Sequence, residues 1–242
     1  MRKMQSARGS MELLFLLLLP SALAACTLLR ASEHLTSDTA SLAWSSSEEC
    51  SQGLIKRYEV QWQHVKYLAC PDGRQDQDSL GVKDGLVTTQ TVIQKLHPHS
   101  LYEFTIKATS RDGSVIPPLS FPLTTKMAAP SSQPRLEAGG NEPRKTNIRF
   151  YWDEPEKCEL QHGQRKEYQV ELEGLDAWDL GVKRLNSNTV IDNSFLAHEL
   201  QSFSSYTLKV YNTNYEPQTG RTYVNEVEPL LIQVRRTQEL SC

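Results

Sequence analysis

The sequence predicts an all-β chain: two β-sandwich domains in tandem behind a signal peptide. Three observations predict it. Apolar residues alternate with polar ones at a period of two, which puts one side of each segment in a core and the other in water. Clusters of turn-forming residues separate these segments. The pattern is then written a second time, roughly a hundred residues on, the size of a whole sandwich and far longer than a solenoid repeat. A chain of 242 residues has room for two domains of ordinary size.

The N-terminus comes first. Arg2, Lys3 and Arg8 precede "MELLFLLLLPSALAAC". The apolar core from Leu13 to Leu19 is too short to span a bilayer. Small residues follow, with Ala22-Leu23-Ala24 as a cleavage site, so residues 1–24 are expected to be a secretory signal peptide. "LAAC", Leu23 to Cys26, also fits a bacterial lipoprotein signal, in which Cys26 would carry the lipid. No second apolar span follows: the tail "LIQVRRTQELSC" is too short and too charged for an anchor. The mature chain is therefore expected to lack a membrane span and to be secreted, or to be the extracellular part of a truncated receptor. The net charge is −3 with Lys and Arg scattered, which argues against a nucleic-acid partner. Five cysteines in a secreted chain permit disulfides and leave at least one unpaired within the chain. There is no Asn-x-Ser/Thr sequon.

The first domain is expected over residues 25–126. Its inward runs are Ala40, Leu42 and Trp44, then Tyr58, Val60 and Trp62, then Tyr102, Phe104, Ile106 and Ala108. Between them lie "SSSEECSQG", "PDGRQDQD", "HPHS" and "SRDGS". "KMAAPSSQP" marks the boundary, with residues 127–134 as a linker too short for free tumbling. The second domain is expected over 135–237, followed by a tail at 238–242. Ile148, Phe150 and Trp152 repeat the first run, Tyr168, Val170 and Leu172 the second, and Tyr206, Leu208 and Val210 the third. Spacings repeat too: in both halves a Cys lies six residues after the Trp, and a Leu lies six residues before the Tyr.

These residues carry a family resemblance. "LHPHSLYEFTIKATS", Leu96 to Ser110, resembles the fibronectin type III signature, and "LQSFSSYTLKVYNTN", Leu200 to Asn214, is similar, with Ser202 in place of the Pro. The Trp44 and Trp152 runs resemble the family's second strand. "WDEPEKC" is the closer match, because Pro155 follows its Trp; "WSSSEEC" lacks that Pro. The resemblance implies two tandem fibronectin type III-like, immunoglobulin-like sandwiches, with Trp44 and Trp152 as core anchors. Tyr102 and Tyr206 fall at the tyrosine corner, where a buried ring pins the loop before it through its hydroxyl. Within the family the second half looks most like repeats of receptor-type tyrosine phosphatase ectodomains, such as the leukocyte common antigen, and of related adhesion receptors. The phosphatase's catalytic Cys-x5-Arg loop is absent.

In a fibronectin-type topology the first strand starts, and the second ends, at the N-terminal pole. Cys26 and Cys50 are then neighbours. The next strand carries the chain roughly 25 Å toward the other pole, so a Cys50–Cys70 bridge would be strained. Cys158 occupies the loop of the second domain that matches Cys50 and lies at the docking end. The expected pairing is Cys26–Cys50 within the first domain and Cys70–Cys158 across the junction. Cys242 is left over, free to pair with another chain or marking where a longer receptor was cut.

No catalytic, cofactor-binding or metal-ligating set emerges. Nucleophile elbows, phosphate-cradling loops and zinc spacings are absent from the sequence. His97 and His99 in "HPH" are two imidazoles without further ligands, and are expected to be solvent-exposed loop residues. Glu48 and Glu49 are adjacent on a loop with no opposing group. Arg111-Asp112-Gly113 reads as a tight turn, not an integrin ligand. Two surfaces are candidates for binding: the polar pole of "SSSEECSQG" with "SRDGS", and the tyrosine-rich end with Tyr211, Tyr215 and Tyr223, since tyrosines are enriched at recognition surfaces. The expected function is a secreted or receptor-ectodomain-like, non-enzymatic module that binds an extracellular or cell-surface protein in adhesion, signalling or ligand capture. The alternatives are a soluble cytokine-receptor-like decoy, although a Trp-Ser-x-Trp-Ser box is missing, and a lipid-anchored bacterial accessory module.

Overall fold

In the computed structural model the described residues are 25–50, 52–76, 80–137, 142–143, 147–165, 167–175, 182–201, 204–225 and 229–235. The expected signal peptide, the tail and Cys242 lie outside them. Residues 25–126 form seven strands: β1 (Leu28–Leu35), β2 (Thr39–Ser46), β3 (Ile55–Tyr67), β4 (Gly81–Leu86), β5 (Gln90–Gln94), β6 (Ser100–Ser110) and β7 (Leu119–Thr124). They pair antiparallel in two sheets, ordered β1-β2-β5 and β4-β3-β6-β7. Alternate residues of each strand turn inward. Ala40, Leu42 and Trp44 from one sheet meet Tyr58, Val60, Tyr102, Phe104 and Ile106 from the other in one hydrophobic core. Two sheets sharing one core make a sandwich.

The second half adds β8 (Arg135–Leu136), β9 (Glu142–Pro143), β10 (Ile148–Asp153), β11 (Tyr168–Leu175), β12 (Val182–Val190), β13 (Ser194–Ala197), β14 (Ser205–Glu216), β15 (Arg221–Val224) and β16 (Leu230–Arg235). One sheet runs β13-β10-β8 with β9 also on β10; the other runs β12-β11-β14-β15 with β16 also on β14. Ile148, Phe150 and Trp152 face Tyr168, Val170, Leu172, Leu208 and Val210 in a second, separate core. The one helical turn among the described residues is 3-10, Cys158–Leu160.

The two cores repeat one construction. Trp44 stands perpendicular to Tyr58 and Trp152 to Tyr168, each with ring centroids 5.4 Å apart. The backbone N–H of His97 donates to the Tyr102 hydroxyl at 2.7 Å, and that of Gln201 donates to the Tyr206 hydroxyl at 2.7 Å. Both tyrosines are buried, so each hydroxyl takes its partner from the loop backbone instead of from water. Burial pushes the Tyr102 hydroxyl up to about 12, so it stays protonated and neutral. One close approach is backbone-dictated: the Trp62 indole lies against Gly81, where a Cβ would sit 2.0 Å from the ring.

Candidate functional site: the junction between the sandwiches

β3 is long, and its thirteen residues carry the chain to the pole nearest the second half. There the loop after it turns back and presents Cys70. Cys158 comes up from the 3-10 turn of the second half, and the two are bonded with Cα atoms 5.2 Å apart. The other bridge is Cys26–Cys50, with Cα atoms 4.5 Å apart. Both are the pairs expected from the topology. Arg74 donates to Glu159 at 3.0 Å beside the junction bridge, a second, solvent-facing tie. Cys70, Cys158 and Glu159 converge tightly enough to hold a metal ion, but both sulfurs are consumed in the disulfide.

Residues 127–134 hold more than a tether would. Pro130, Ser132 and Pro134 are buried while Ala129, Ser131 and Arg135 are exposed, the period of an extended strap lying on a surface. At one end the strap is tied to the first sandwich: Lys126 N–H donates to Thr36 O at 3.0 Å and His99 N–H to Lys126 O at 3.0 Å. Along its length it is tied to the second. Ala128 N–H donates to His162 O at 3.0 Å and Ser131 N–H to Leu160 O at 2.9 Å. Side-chain amides complete the grip. Asn214 Nδ2 donates to Ala128 O at 2.7 Å and Asn212 Nδ2 to Ser132 O at 3.1 Å. Asn225 Nδ2 reaches the same Ser132 carbonyl at 3.3 Å. Gln161 joins the two asparagines, donating to Asn214 Oδ1 and accepting from Asn212 Nδ2, each at 2.7 Å. All four amides are buried, so every bond lost here would strand a polar group away from water.

A mixed aromatic and imidazole cluster backs the junction from the first sandwich. His64 is buried, with its ring 4.3 Å from Tyr67 and 5.5 Å from His97. Its Nδ1 accepts the Asp76 backbone N–H at 3.0 Å, while His97 Nε2 meets the Asp76 carboxylate at 2.9 Å. Burial, and then the neighbouring His97, hold the His64 imidazole below its ordinary value. Burial does the same to His99 and, against a bond to Ala129 O, to His162. The expectation that His97 and His99 stand in solvent is corrected: both are half-buried, because the loop that carries them packs against the junction.

Between the halves lies a cleft of about 480 Å³, lined from both sides by residues that include Leu68, Pro71, His99, Lys157, Gln164 and Arg165. Arg165 is fixed in its wall: it stacks 5.1 Å over the Tyr168 ring and donates to the Tyr168 hydroxyl at 2.7 Å.

The tyrosine-rich end is not one platform. Tyr223 is paired with Asn214 and Tyr215 with Thr222. Cross-strand partners share a face and successive residues alternate, so Tyr223 projects opposite to Tyr215. Tyr211 lies on the outer face near Glu171, its hydroxyl 3.4 Å from that carboxylate, while Tyr223 donates to Glu216 at 3.2 Å. At the opposite pole the two polar loops leave neighbouring strands: Arg111 N–H donates at 2.8 Å to the carbonyl of Leu54, the residue after "SSSEECSQG".

The amide grip was not anticipated from sequence. A signal for it exists: the inward period Leu208, Val210 continues as Asn212, Asn214, so two amides occupy positions where the pattern asks for apolar residues. No curated protein matches the chain. Residues 24–126 match the family model of the fibronectin type III domain, a common protein-binding and adhesion module, and so give the first sandwich a family likeness.

Proposed function

We propose that the chain is a secreted or receptor-ectodomain-type recognition module, built of two fibronectin type III-like domains over 25–126 and 135–237. It presents one composite surface to an extracellular or cell-surface protein. The observation that carries this reading is the double fastening of the junction, covalent through Cys70–Cys158 and polar through the buried amides around Ala128 and Ser132. Two independent binding beads need no such fastening. A surface shared between domains does, because a hinge free to bend would lose orientational entropy on every binding event. The cleft with Leu68, Lys157 and Arg165 is the concave part of that surface. Two disulfides support an oxidising, extracellular setting, and no helix among the described residues is long and apolar enough to cross a membrane. The reading is non-enzymatic, and a hydrolase panel showing turnover abolished by one substitution would overturn that part of it.

The lipid-anchored alternative is set aside. A lipoprotein carries its lipid on the cysteine sulfur, and the Cys26 sulfur is bonded to Cys50.

The test uses the secreted chain as bait against an array of cell-surface ectodomains, with Lys157→Glu and Leu68→Asp beside it. A partner whose binding weakens at least about tenfold with both variants supports a composite surface at the cleft. Partners that bind either half alone, indifferent to both substitutions, would count against it.

A further inference from the structure

A β-sandwich leaves four edge strands, and each offers unpaired backbone groups to any passing strand. In the first sandwich these are β1, β5, β4 and β7. Three are guarded in their own sequence. β1 carries Arg30, Glu33 and His34 and a register shift between Arg30 and Ser32. β7 has Pro122 at its centre. β4 has Lys83 and Asp84 followed by Gly85 in the left-handed region, at φ 74°. β5 has none of these devices. Its sequence is Gln90-Thr91-Val92-Ile93-Gln94, uncharged, without proline, glycine or bulge, and Val92 is 47% exposed.

The backbone of β5 also points the right way. Trp44 N–H donates to Thr89 O, so Thr89 and every second residue after it turn their backbone groups toward β2. Gln90, Val92 and Gln94 therefore turn theirs outward. Two side chains already sit on those outward carbonyls: Thr88 Oγ1 donates to Gln90 O at 3.0 Å, and Lys83 Nζ to Val92 O at 3.2 Å. A groove of about 690 Å³ crosses this sheet from Glu33 on β1 and Ser41 on β2 to Val92, and reaches Lys83, Leu86 and Thr88 beyond the β5 edge.

We propose that β5 is the edge through which two copies of this chain pair, antiparallel, about a two-fold axis at Val92. The occupant is a second copy because the strand complements itself. Read in reverse, Gln-Thr-Val-Ile-Gln becomes Gln-Ile-Val-Thr-Gln. Centred on Val92, the pairing sets Val92 against Val92, each Gln90 against the other copy's Gln94, and each Thr91 against Ile93. Gln faces Gln on the outer side and β-branched residues face each other on the inner side, with no charge opposed to a like charge. The outward backbone groups of Gln90, Val92 and Gln94 then bond in reciprocal pairs, as the hydrogen-bonded positions of an antiparallel ladder do. The two three-stranded sheets become one of six, and the contact is isologous and closes on itself. The Lys83 ammonium must swing off the Val92 carbonyl for this to happen. It acts as a latch that keeps the pairing weak and reversible.

Sedimentation velocity over a concentration series tests this, using the full secreted chain with Cys242→Ser so that a disulfide-linked dimer cannot be mistaken for the edge contact. The expected result is a reversible monomer–dimer equilibrium. Val92→Lys, which sets two ammonium groups against each other on the axis, weakens it at least about tenfold. Lys83→Ala removes the latch and tightens it. Deuterium exchange of the wild-type chain slows at the amides of Gln90, Val92 and Gln94 as concentration rises. A chain that stays monomeric throughout, a dimer indifferent to Val92→Lys, or exchange at these three amides that ignores concentration would each overturn the proposal.

Discussion

Two tyrosine hydroxyls do the same job a hundred residues apart, and the same substitution can be made in each. Tyr102→Phe strands the His97 N–H and Tyr206→Phe strands the Gln201 N–H. Each is expected to cost about 1–3 kcal/mol, the penalty of a buried donor left unsatisfied, read by denaturant unfolding. A loss confined to one half would show that the two corners are not equivalent. His64 gives the molecule a pH dependence. Its Nδ1 accepts from the Asp76 N–H, which the protonated ring cannot do, and burial together with His97 lowers its proton affinity in the fold. The unfolded chain then binds more protons than the folded one below about pH 6.5. The stability tied to the neutral ring is whole above that value and falls as the pH drops through the depressed folded value. Tyr67, His97, Asp76 and Tyr102 surround the ring. His99 and His162, lowered in the same direction, add to the slope. Unfolding free energies at pH 7.5 and 5.5 are expected to differ less for His64→Gln than for the native chain; an unchanged difference would remove His64 from the account.

The element that decides the geometry is the strap. Alternating burial at Pro130, Ser132 and Pro134 makes it a strand held by mixed partners: the backbone of Leu160 and His162 accepts from its amides, and the side chains of Asn212, Asn214 and Asn225 donate to its carbonyls. Asn214→Ala is expected to cost about 2–4 kcal/mol, because the Ala128 carbonyl and Gln161 lose partners together in a buried network. The strap should then become cleavable by limited proteolysis. Gly163→Ala reaches the same network by steric means: a Cβ there would stand 2.6 Å from the Asn214 side chain. About 1–3 kcal/mol is expected for such overpacking, with the same new cleavage. A protease-resistant strap in both variants would show that backbone bonds alone hold it.

For the whole molecule, the two fastenings are redundant in shape and distinct in energy. The Cys70–Cys158 bridge closes a sequence separation of 88 residues, so it acts largely by restricting the unfolded chain. Cys70→Ser with Cys158→Ser is expected to lower stability by about 2–5 kcal/mol and to leave the radius of gyration in X-ray scattering unchanged, since the strap still sets the angle. Adding Asn214→Ala should then broaden the scattering profile. If the double serine variant already opens, the bridge alone fixes the orientation. The composite surface of the proposed function stands on this rigidity.

Legible in the sequence were the all-β fold, the doubled pattern, the Trp anchors, the Tyr corners and the two expected disulfide pairs. The fold and the doubled pattern follow from local periodicity; the anchors, the corners and the expected disulfide pairs follow from the fibronectin type III resemblance, whose topology sets the pole at which each strand ends. The grip on the strap was decided in three dimensions. Gln161, the β14 pair Asn212 and Asn214, and Asn225 come from three segments and become a site only because β14, the end of β15 and the 3-10 turn converge on residues 128–132. The splitting of Tyr223 from Tyr215 was likewise invisible in the sequence, since it depends on a hairpin register that composition does not encode. Side-chain periodicity is a one-dimensional property that a strand carries with it. Which loops share a pole, and which amides find a carbonyl there, depend on how the sheets pack and on where the chain crosses between them.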